Sequence, residues 1–145
     1  MTWKNLVIIL LAVGIPNIIK EYIHKTRPEI QLNDLGTYNN DSVDYPDYGK
    51  KVAKSILDGE NEVGIICCGT GIGISMAANR YKGIRAALVF NEFTAQMAKE
   101  HNNANIISMG GRTTEPELAK KLVDIWLDKE FEGGRHQNRL DKIES

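Results

Sequence analysis

Residues 63–79 read VGIICCGTGIGISMAAN. The run Val63–Cys68 is short, apolar and rich in β-branched residues, without polar alternation, which is typical of a strand buried on both faces. Three glycines at every second position follow, at 69, 71 and 73, and Ile74–Asn79 has the composition of a helix. A strand that leads through glycines into a helix leaves backbone N–H groups free to face an anion. The stretch therefore predicts a small-anion site at the end of a buried strand.

Two side chains could supply chemistry to this loop. Cys68 stands directly before the glycines and Thr70 lies among them, so a nucleophile or base would sit beside the anion cradle. Cys67 and Cys68 must face opposite sides of a strand, and Cys68 is the better candidate because it borders the loop. The alternative is that both thiols are small core residues and that the glycines serve only the turn.

The spacing of the glycines excludes two common nucleotide sites. Ile74 stands where the dinucleotide fingerprint G-x-G-x-x-G has its last glycine, and the G-K-[ST] of a P-loop is absent. A nucleotide-binding module is therefore the least favoured interpretation.

Composition limits the class of protein. The chain has 145 residues, which suits one domain over residues 1–145, and its net charge of −1 with dispersed lysines and arginines gives no indication of nucleic-acid binding. The two cysteines are adjacent, so neither a disulfide framework nor a C-x-x-C metal site is expected. We expect a cytoplasmic protein with no metal.

The apolar start of the chain allows two interpretations. Leu6–Ile15 follows Lys4 and resembles the core of a signal peptide, but the run is too short to span a bilayer and ends at Pro16 without a small-residue cleavage site. A buried first strand explains it better, so no membrane association is expected.

Strands and helices alternate along the chain. We predict strands at Leu6–Ala12, Ile30–Leu35, Val63–Cys68, Ile84–Val89 and Asn105–Met109, and helices at 16–25, 44–58, 75–79, 93–101, 115–127 and 135–143. Such alternation predicts an α/β fold with a five-stranded parallel sheet and a C-terminal helix. Ligands of such sheets bind at the carboxyl ends of the strands.

Several other side chains are candidates for that edge of the sheet. Besides Cys68, we expect His101, which ends a helix, and Arg112, which follows two glycines. Arg135 and Arg139 lie four residues apart, so one helical face could present both guanidinium groups to a phosphate. The alternatives are a histidine that caps helix carbonyls and a solvated basic tail. Asp44 is expected to cap a helix.

Taken together, these segments resemble the ribose-5-phosphate isomerase B family, which includes the related galactose-6-phosphate isomerase subunits. The resemblance extends from about Gly14 to Ile143 and rests on an ordered set of motifs: DLGTY at 34–38, DYP at 44–46, ICCGTGIG at 66–73, GIRA at 83–86, EHN at 100–102, GGR at 110–112 and FEGGRHQNR at 131–139.

The resemblance implies a Rossmann-like three-layer sandwich and an aldose–ketose isomerase without a cofactor. The reaction would interconvert ribose 5-phosphate and ribulose 5-phosphate through a cis-enediolate. A homodimer or dimer of dimers with shared active sites is also implied. Hexose 6-phosphates, such as allose or galactose 6-phosphate, are alternative substrates.

The family pattern also implies roles for individual residues. Cys68 would be the base, Thr70 and the loop Gly69, Gly71, Ile72 and Gly73 would hold the enediolate, and His101 would assist ring opening. The remaining positions would bind the substrate: Asn102 the sugar, Arg135, His136 and Arg139 the phosphate, with Tyr45 and Arg112 lining the site.

One departure from the family pattern bears on activity. The family's first strand ends in an Asp-His pair, whereas the aligned positions here are Leu11 and Ala12, although Gly14-Ile15-Pro16 follows as expected. The start has diverged or is a shifted reading frame of the gene. An impaired enzyme, or a silent sugar-phosphate-binding subunit of a hetero-oligomer, is therefore an alternative function.

Overall fold

The structure, a computed structural model, describes residues 5–8, 14–36 and 44–145. Its strands are β1 (Asn5–Ile8), β2 (Gln31–Asp34), β3 (Val63–Cys68), β4 (Ala86–Leu88) and β5 (Ile106–Gly110). Its helices are α1 (Ile15–Thr26), α2 (Tyr45–Leu57), α3 (Ile72–Ala78), α4 (Glu92–Glu100), α5 (Pro116–Asp128) and α6 (Arg135–Glu144).

The strands form one parallel sheet in the order β2-β1-β3-β5-β4. The predicted α/β class with a parallel sheet is confirmed. The chain moves outward from β1 to β2 on one side and continues from β3 on the other, so the order of the strands switches between β1 and β3. Cys68, the last residue of β3, is therefore at the edge where parallel sheets bind ligands.

Helices cover both faces of the sheet. Ile19 of α1 and Trp126 of α5 share one core cluster with Ile65 and Cys67 of β3. Helices α2 and α3 enclose the other cluster, in which Ile66 is fully buried and Cys68 packs at the margin. Successive residues of β3 thus alternate between the two cores, as the apolar run predicted, and Cys67 and Cys68 face opposite sides.

The predicted boundaries differ from the observed ones where local hydrogen bonds intervene. β4 begins later than predicted because the N–H of Arg85 donates to the Asn105 side chain, at 2.8 Å, instead of to a strand. α3 begins earlier, directly after Gly71, whose left-handed φ of +81° ends the loop. Asp44 stands at the N-cap of α2, as predicted, but its side chain makes no cap hydrogen bond. The predicted end of the first strand, including Leu11 and Ala12, lies outside the described residues.

None of the helices within residues 14–36 and 44–145 combines the length and the apolar character needed to cross a membrane.

Candidate active site

The glycine loop after β3 wraps around the thiol of Cys68. The side chain is half-buried, and the Gly71 N–H donates to its sulfur at 3.2 Å. The next amide, the Ile72 N–H, donates to Thr70 Oγ1 at 3.3 Å. The sulfur thus has a backbone donor directed at it, and cysteine acts as a base or a nucleophile through its thiolate form.

Gly71 could not be another residue in this loop. Its φ is +81°, and an added Cβ would lie 2.8 Å from both Leu88 Cδ1 and the carbonyl carbon of Met109. The backbone therefore rests directly on β4 and β5, which brings the Gly71 amide within reach of the sulfur.

The neighbouring thiol is inert by comparison. Cys67 is fully buried, and desolvation, with a smaller contribution from Cys68, raises its pKa to about 12. Only Cys68 combines access to solvent with a donor aimed at its sulfur.

Two further predicted residues lie beside the loop. Tyr45 crosses over Gly73, where an added Cβ would overlap the tyrosine ring and hydroxyl. The Arg112 N–H donates to the Gly69 carbonyl at 3.1 Å, and the Arg112 side chain lies 3.6 Å from where a Cβ on Gly69 would be. We call Tyr45, Cys68, the loop 69–73 and Arg112 the thiol half of the candidate site.

The prediction that His101 joins Cys68 at the carboxyl edge is wrong. His101 follows α4, and the chain from there enters β5 at the opposite edge, where the Gly64 N–H donates to the Asn105 carbonyl at 2.9 Å. Gly64 is the register partner of Ile106, whereas Cys68 is the partner of Gly110. Four residues of strand separate the two levels by about 13 Å. The physical reason is general, because a helix that follows a parallel strand runs back to the amino edge of the sheet.

A second group of predicted residues surrounds His101 at this amino edge. The imidazoles of His101 and His136 stack with centroids 4.0 Å apart and planes inclined by 16°. Asn102 follows His101, and α6 carries Arg135 and Arg139, all three exposed to solvent. We call His101, Asn102, Arg135, His136 and Arg139 the histidine half.

Glu132, which the sequence analysis did not single out, joins the two imidazoles. Its Oε1 lies 3.3 Å from Nε2 of His101 and 3.5 Å from Nε2 of His136. Glu132 precedes the two glycines before α6, where Gly134 has a φ of +57°, so Glu132 and His136 are four residues apart without lying on one helix. The motif E-x-x-x-H was the only available signal.

The charges of the histidine half oppose protonation of His136. Burial is the largest cause that lowers its pKa, followed by His101 and Arg135, while Glu132 acts in the opposite direction. His136 is therefore neutral at pH 7, since its ordinary pKa already lies below that value. A neutral imidazole can still donate one N–H to a carboxylate or a phosphate.

The same three groups approach the geometry of a metal site. One ligand atom from each of His101, Glu132 and His136 lies within 4.8 Å of the others. However, a metal ion lies in the plane of each imidazole that binds it, and these two rings are stacked face to face. One ring would have to turn before both could bind the same ion, so close approach of both imidazoles to one carboxylate describes the arrangement better.

Contacts with the segment that leads into β4 anchor the helix that carries the arginines. Leu140 is 3% exposed, and the Glu144 carboxylate accepts a hydrogen bond from the Gly83 N–H at 2.8 Å and lies 3.4 Å from the Arg85 guanidinium. The end of α6 is thereby fixed to the sheet, while its first turns lie against His101.

Comparison with known proteins agrees with the family resemblance seen in the sequence. The profile of the Ribose/Galactose Isomerase family matches residues 12–143. A putative sugar phosphate isomerase of Bacillus subtilis is 48% identical over 133 residues, 91% of this chain and 88% of its own length. Ribose-5-phosphate isomerase B of Escherichia coli is 42% identical over 120 residues, 83% of this chain and 80% of its own. The crystal structure of a ribose 5-phosphate isomerase of Thermotoga maritima has a TM-score of 0.92 and 46% identity, and covers 99% of each chain.

Proposed function

The chain belongs to the ribose/galactose isomerase family and is a sugar-phosphate isomerase, and from that premise we propose that it interconverts ribose 5-phosphate and ribulose 5-phosphate. The single observation that carries the proposal is the Gly71 N–H directed at the Cys68 sulfur, at 3.2 Å, beside a loop of backbone amides. An aldose–ketose isomerase needs a base next to donors that stabilise an oxyanion.

In the proposed reaction the thiolate of Cys68 removes the proton from C2 of the open-chain sugar. The electrons of the broken C–H bond form a cis-enediolate, and the proton returns to C1 while a second proton moves between the two oxygens. No electrons enter or leave the substrate, so the reaction consumes no external oxidant or reductant. The Thr70 hydroxyl and the amides of Gly69, Gly71, Ile72 and Gly73 stabilise the enediolate oxygens, and the Gly71 and Ile72 amides share their N–H groups between the substrate and their contacts with Cys68 and Thr70.

The other residues of the site open and hold the sugar. His101 exchanges a proton with the ring oxygen, and Asn102 binds sugar hydroxyls. Arg135, Arg139 and His136 bind the phosphate, a role that suits two guanidinium groups on one exposed helical face. Tyr45 and Arg112 line the pocket beside the thiol.

The two halves act together only if two chains share one site. Proton transfer needs groups within about 3 Å of the substrate, whereas the halves of one chain lie at opposite edges of the sheet, and β3 alone rises about 13 Å between those edges. We therefore propose a homodimer, alone or within a tetramer, in which the thiol half of one chain faces the histidine half of the other.

Exposed apolar side chains around the thiol half support a partner there. Ile72 and Met76 of α3 are 46% and 64% exposed, and Phe90 and Phe93, which follow β4, are 62% and 67% exposed. Large apolar groups clustered at one edge are typical of protein–protein interfaces.

The two cysteines make no disulfide, which suits a cytosolic location.

One alternative function has a specific observation in its favour. Leu11 and Ala12 replace the acid and the histidine that the family pattern has at those positions, which would leave a protein that binds sugar phosphates without converting them. A hexose 6-phosphate substrate is the other alternative, since the family profile covers galactose isomerases as well.

The test is turnover of ribose 5-phosphate by the purified protein and by two matched variants. Cys68→Ala should abolish turnover, whereas Cys67→Ala, which removes the adjacent buried thiol, should retain most of it. Equal activity of wild type and Cys68→Ala would contradict the proposed base. No turnover by wild type, together with a thermal shift by ribose 5-phosphate, would instead indicate the silent binding subunit. Turnover of allose or galactose 6-phosphate in preference to the pentose would indicate the hexose isomerase.

A further inference from the structure

A buried serine on the neighbouring strand touches the glycine loop. Ser108 of β5 is 0% exposed, and its hydroxyl donates to the Gly71 carbonyl at 2.6 Å, across 37 residues of sequence. The helical bond to the same carbonyl, from the Ser75 N–H, is longer, at 3.4 Å. The hydroxyl of Ser108 is therefore the closer of these two donors to this peptide group.

The direction of one carbonyl sets the direction of an amide. In a trans peptide the C=O and the N–H point to opposite sides, so a Gly71 carbonyl turned toward Ser108 leaves the Ile72 N–H turned away from it, toward Thr70. The Gly71 N–H on the Cys68 sulfur belongs to the preceding peptide and is linked to this one through the φ and ψ angles of Gly71.

Gly71 has no side chain with which to fix its own conformation. Glycine has more backbone freedom than other residues, and a loop built from three of them needs restraint from outside. The strands beneath Gly71 block movement in one direction, since Leu88 and Met109 occupy the space where a Cβ on Gly71 would lie. Rotation of the peptide plane is restrained by the Ser108 hydrogen bond.

We propose that Ser108 is a positioning residue for the thiol half: its hydroxyl holds the Gly71–Ile72 peptide so that the amides of Gly71 and Ile72 face Cys68 and Thr70. The consequence for turnover rests on the proposed function, but the orientation of the amides does not. Loss of the hydroxyl should weaken the N–H contact with the sulfur and slow the reaction of Cys68 with an electrophile.

The experiment measures alkylation of the full chain by iodoacetamide, with Ser108→Ala compared with wild type and with Ser55→Ala. Ser55 is a matched control, because it is also buried and its hydroxyl donates to a backbone carbonyl, of Val52 at 2.8 Å, away from the loop. We expect alkylation of Cys68 to slow about three- to tenfold in Ser108→Ala, the factor that one hydrogen bond is typically worth. Ser55→Ala should react at the wild-type rate.

Alkylation at the wild-type rate or faster in folded Ser108→Ala would overturn the proposal. If Ser108→Ala does not fold, Ser108→Thr and Ser108→Val repeat the comparison at equal side-chain volume, and equal rates in that pair would also overturn it. In an active isomerase, kcat should fall in Ser108→Ala with little change in KM. Alkylation still reads the position of the amides if wild type proves inactive, so failure of the proposed function and failure of this proposal are distinguishable.

Discussion

Replacing the buried Lys99 by methionine should stabilise the fold and remove part of its dependence on pH. Lys99 of α4 is 1% exposed, with its ammonium 4.9 Å from the centroid of the Trp126 ring. Burial lowers its pKa from 10.5 to about 8. At about 1.4 kcal/mol for each pKa unit, this difference lowers the free energy of unfolding by about 3 kcal/mol at neutral pH.

The sign of the pH dependence follows from proton binding. The unfolded chain binds the Lys99 proton more tightly than the folded chain, so the unfavourable contribution is complete below pH 8 and disappears as the pH rises toward 10.5. Methionine has a similar length and no charge. We therefore expect Lys99→Met to be more stable than wild type by about 1–3 kcal/mol at pH 7, the lower value if loss of the cation–π contact offsets part of the gain. Between pH 7 and pH 9.5 this advantage should shrink by about 2 kcal/mol.

The assay is urea unfolding of both proteins at one protein concentration, at several pH values between 7 and 9.5. Lys54→Met, at an exposed position of α2, controls for the general effect of removing a positive charge. A Lys99→Met variant that is less stable than wild type at pH 7, with a difference that stays constant with pH, would refute the reasoning.

Two further predictions concern the thiol half. Gly73→Ala should lower kcat/KM, because the added methyl group displaces the Tyr45 ring. The free energy of unfolding should stay unchanged or rise slightly, because alanine favours helices. In a double-mutant cycle, Gly73→Ala should have no further effect on kcat/KM in a Tyr45→Ala background, and additive losses would rule out a shared cause. Iodoacetamide should modify one thiol per folded chain, at Cys68, and mass spectrometry that finds Cys67 alkylated first would contradict its burial and its pKa of about 12.

The sequence predicted best those features that depend on neighbouring residues. β3 was predicted to the residue, because an unbroken apolar run that ends at a glycine has one plausible interpretation. The start of α6 at Arg135 was predicted equally well from the double glycine before it. The strand before Pro16 is described only at Asn5–Ile8, so its predicted end at Ala12 remains a prediction.

Features that depend on the path of the chain were harder to predict. His101 was assigned to the edge of Cys68 because both are polar groups at the ends of elements, although α4 carries His101 to the other edge. Ser108 gave no signal, since its partner is distant in sequence. Glu132 gave only the four-residue spacing to His136, across two glycines with positive φ. The contacts of Glu132 and Ser108 can be recognised only once the positions of the elements that carry them and their partners are known.

The central claim, that one active site needs two chains, can be tested by mixing two variants. Cys68→Ala lacks the proposed base and His101→Ala lacks the proposed acid, so each homodimer should be nearly inactive. After co-expression in equal amounts, about half of the dimers contain one chain of each kind, and each of these has one intact site. Activity should therefore recover to about a quarter of the wild-type value. A mixture that stays as inactive as its components, although mass spectrometry shows that mixed dimers have formed, would contradict the shared site.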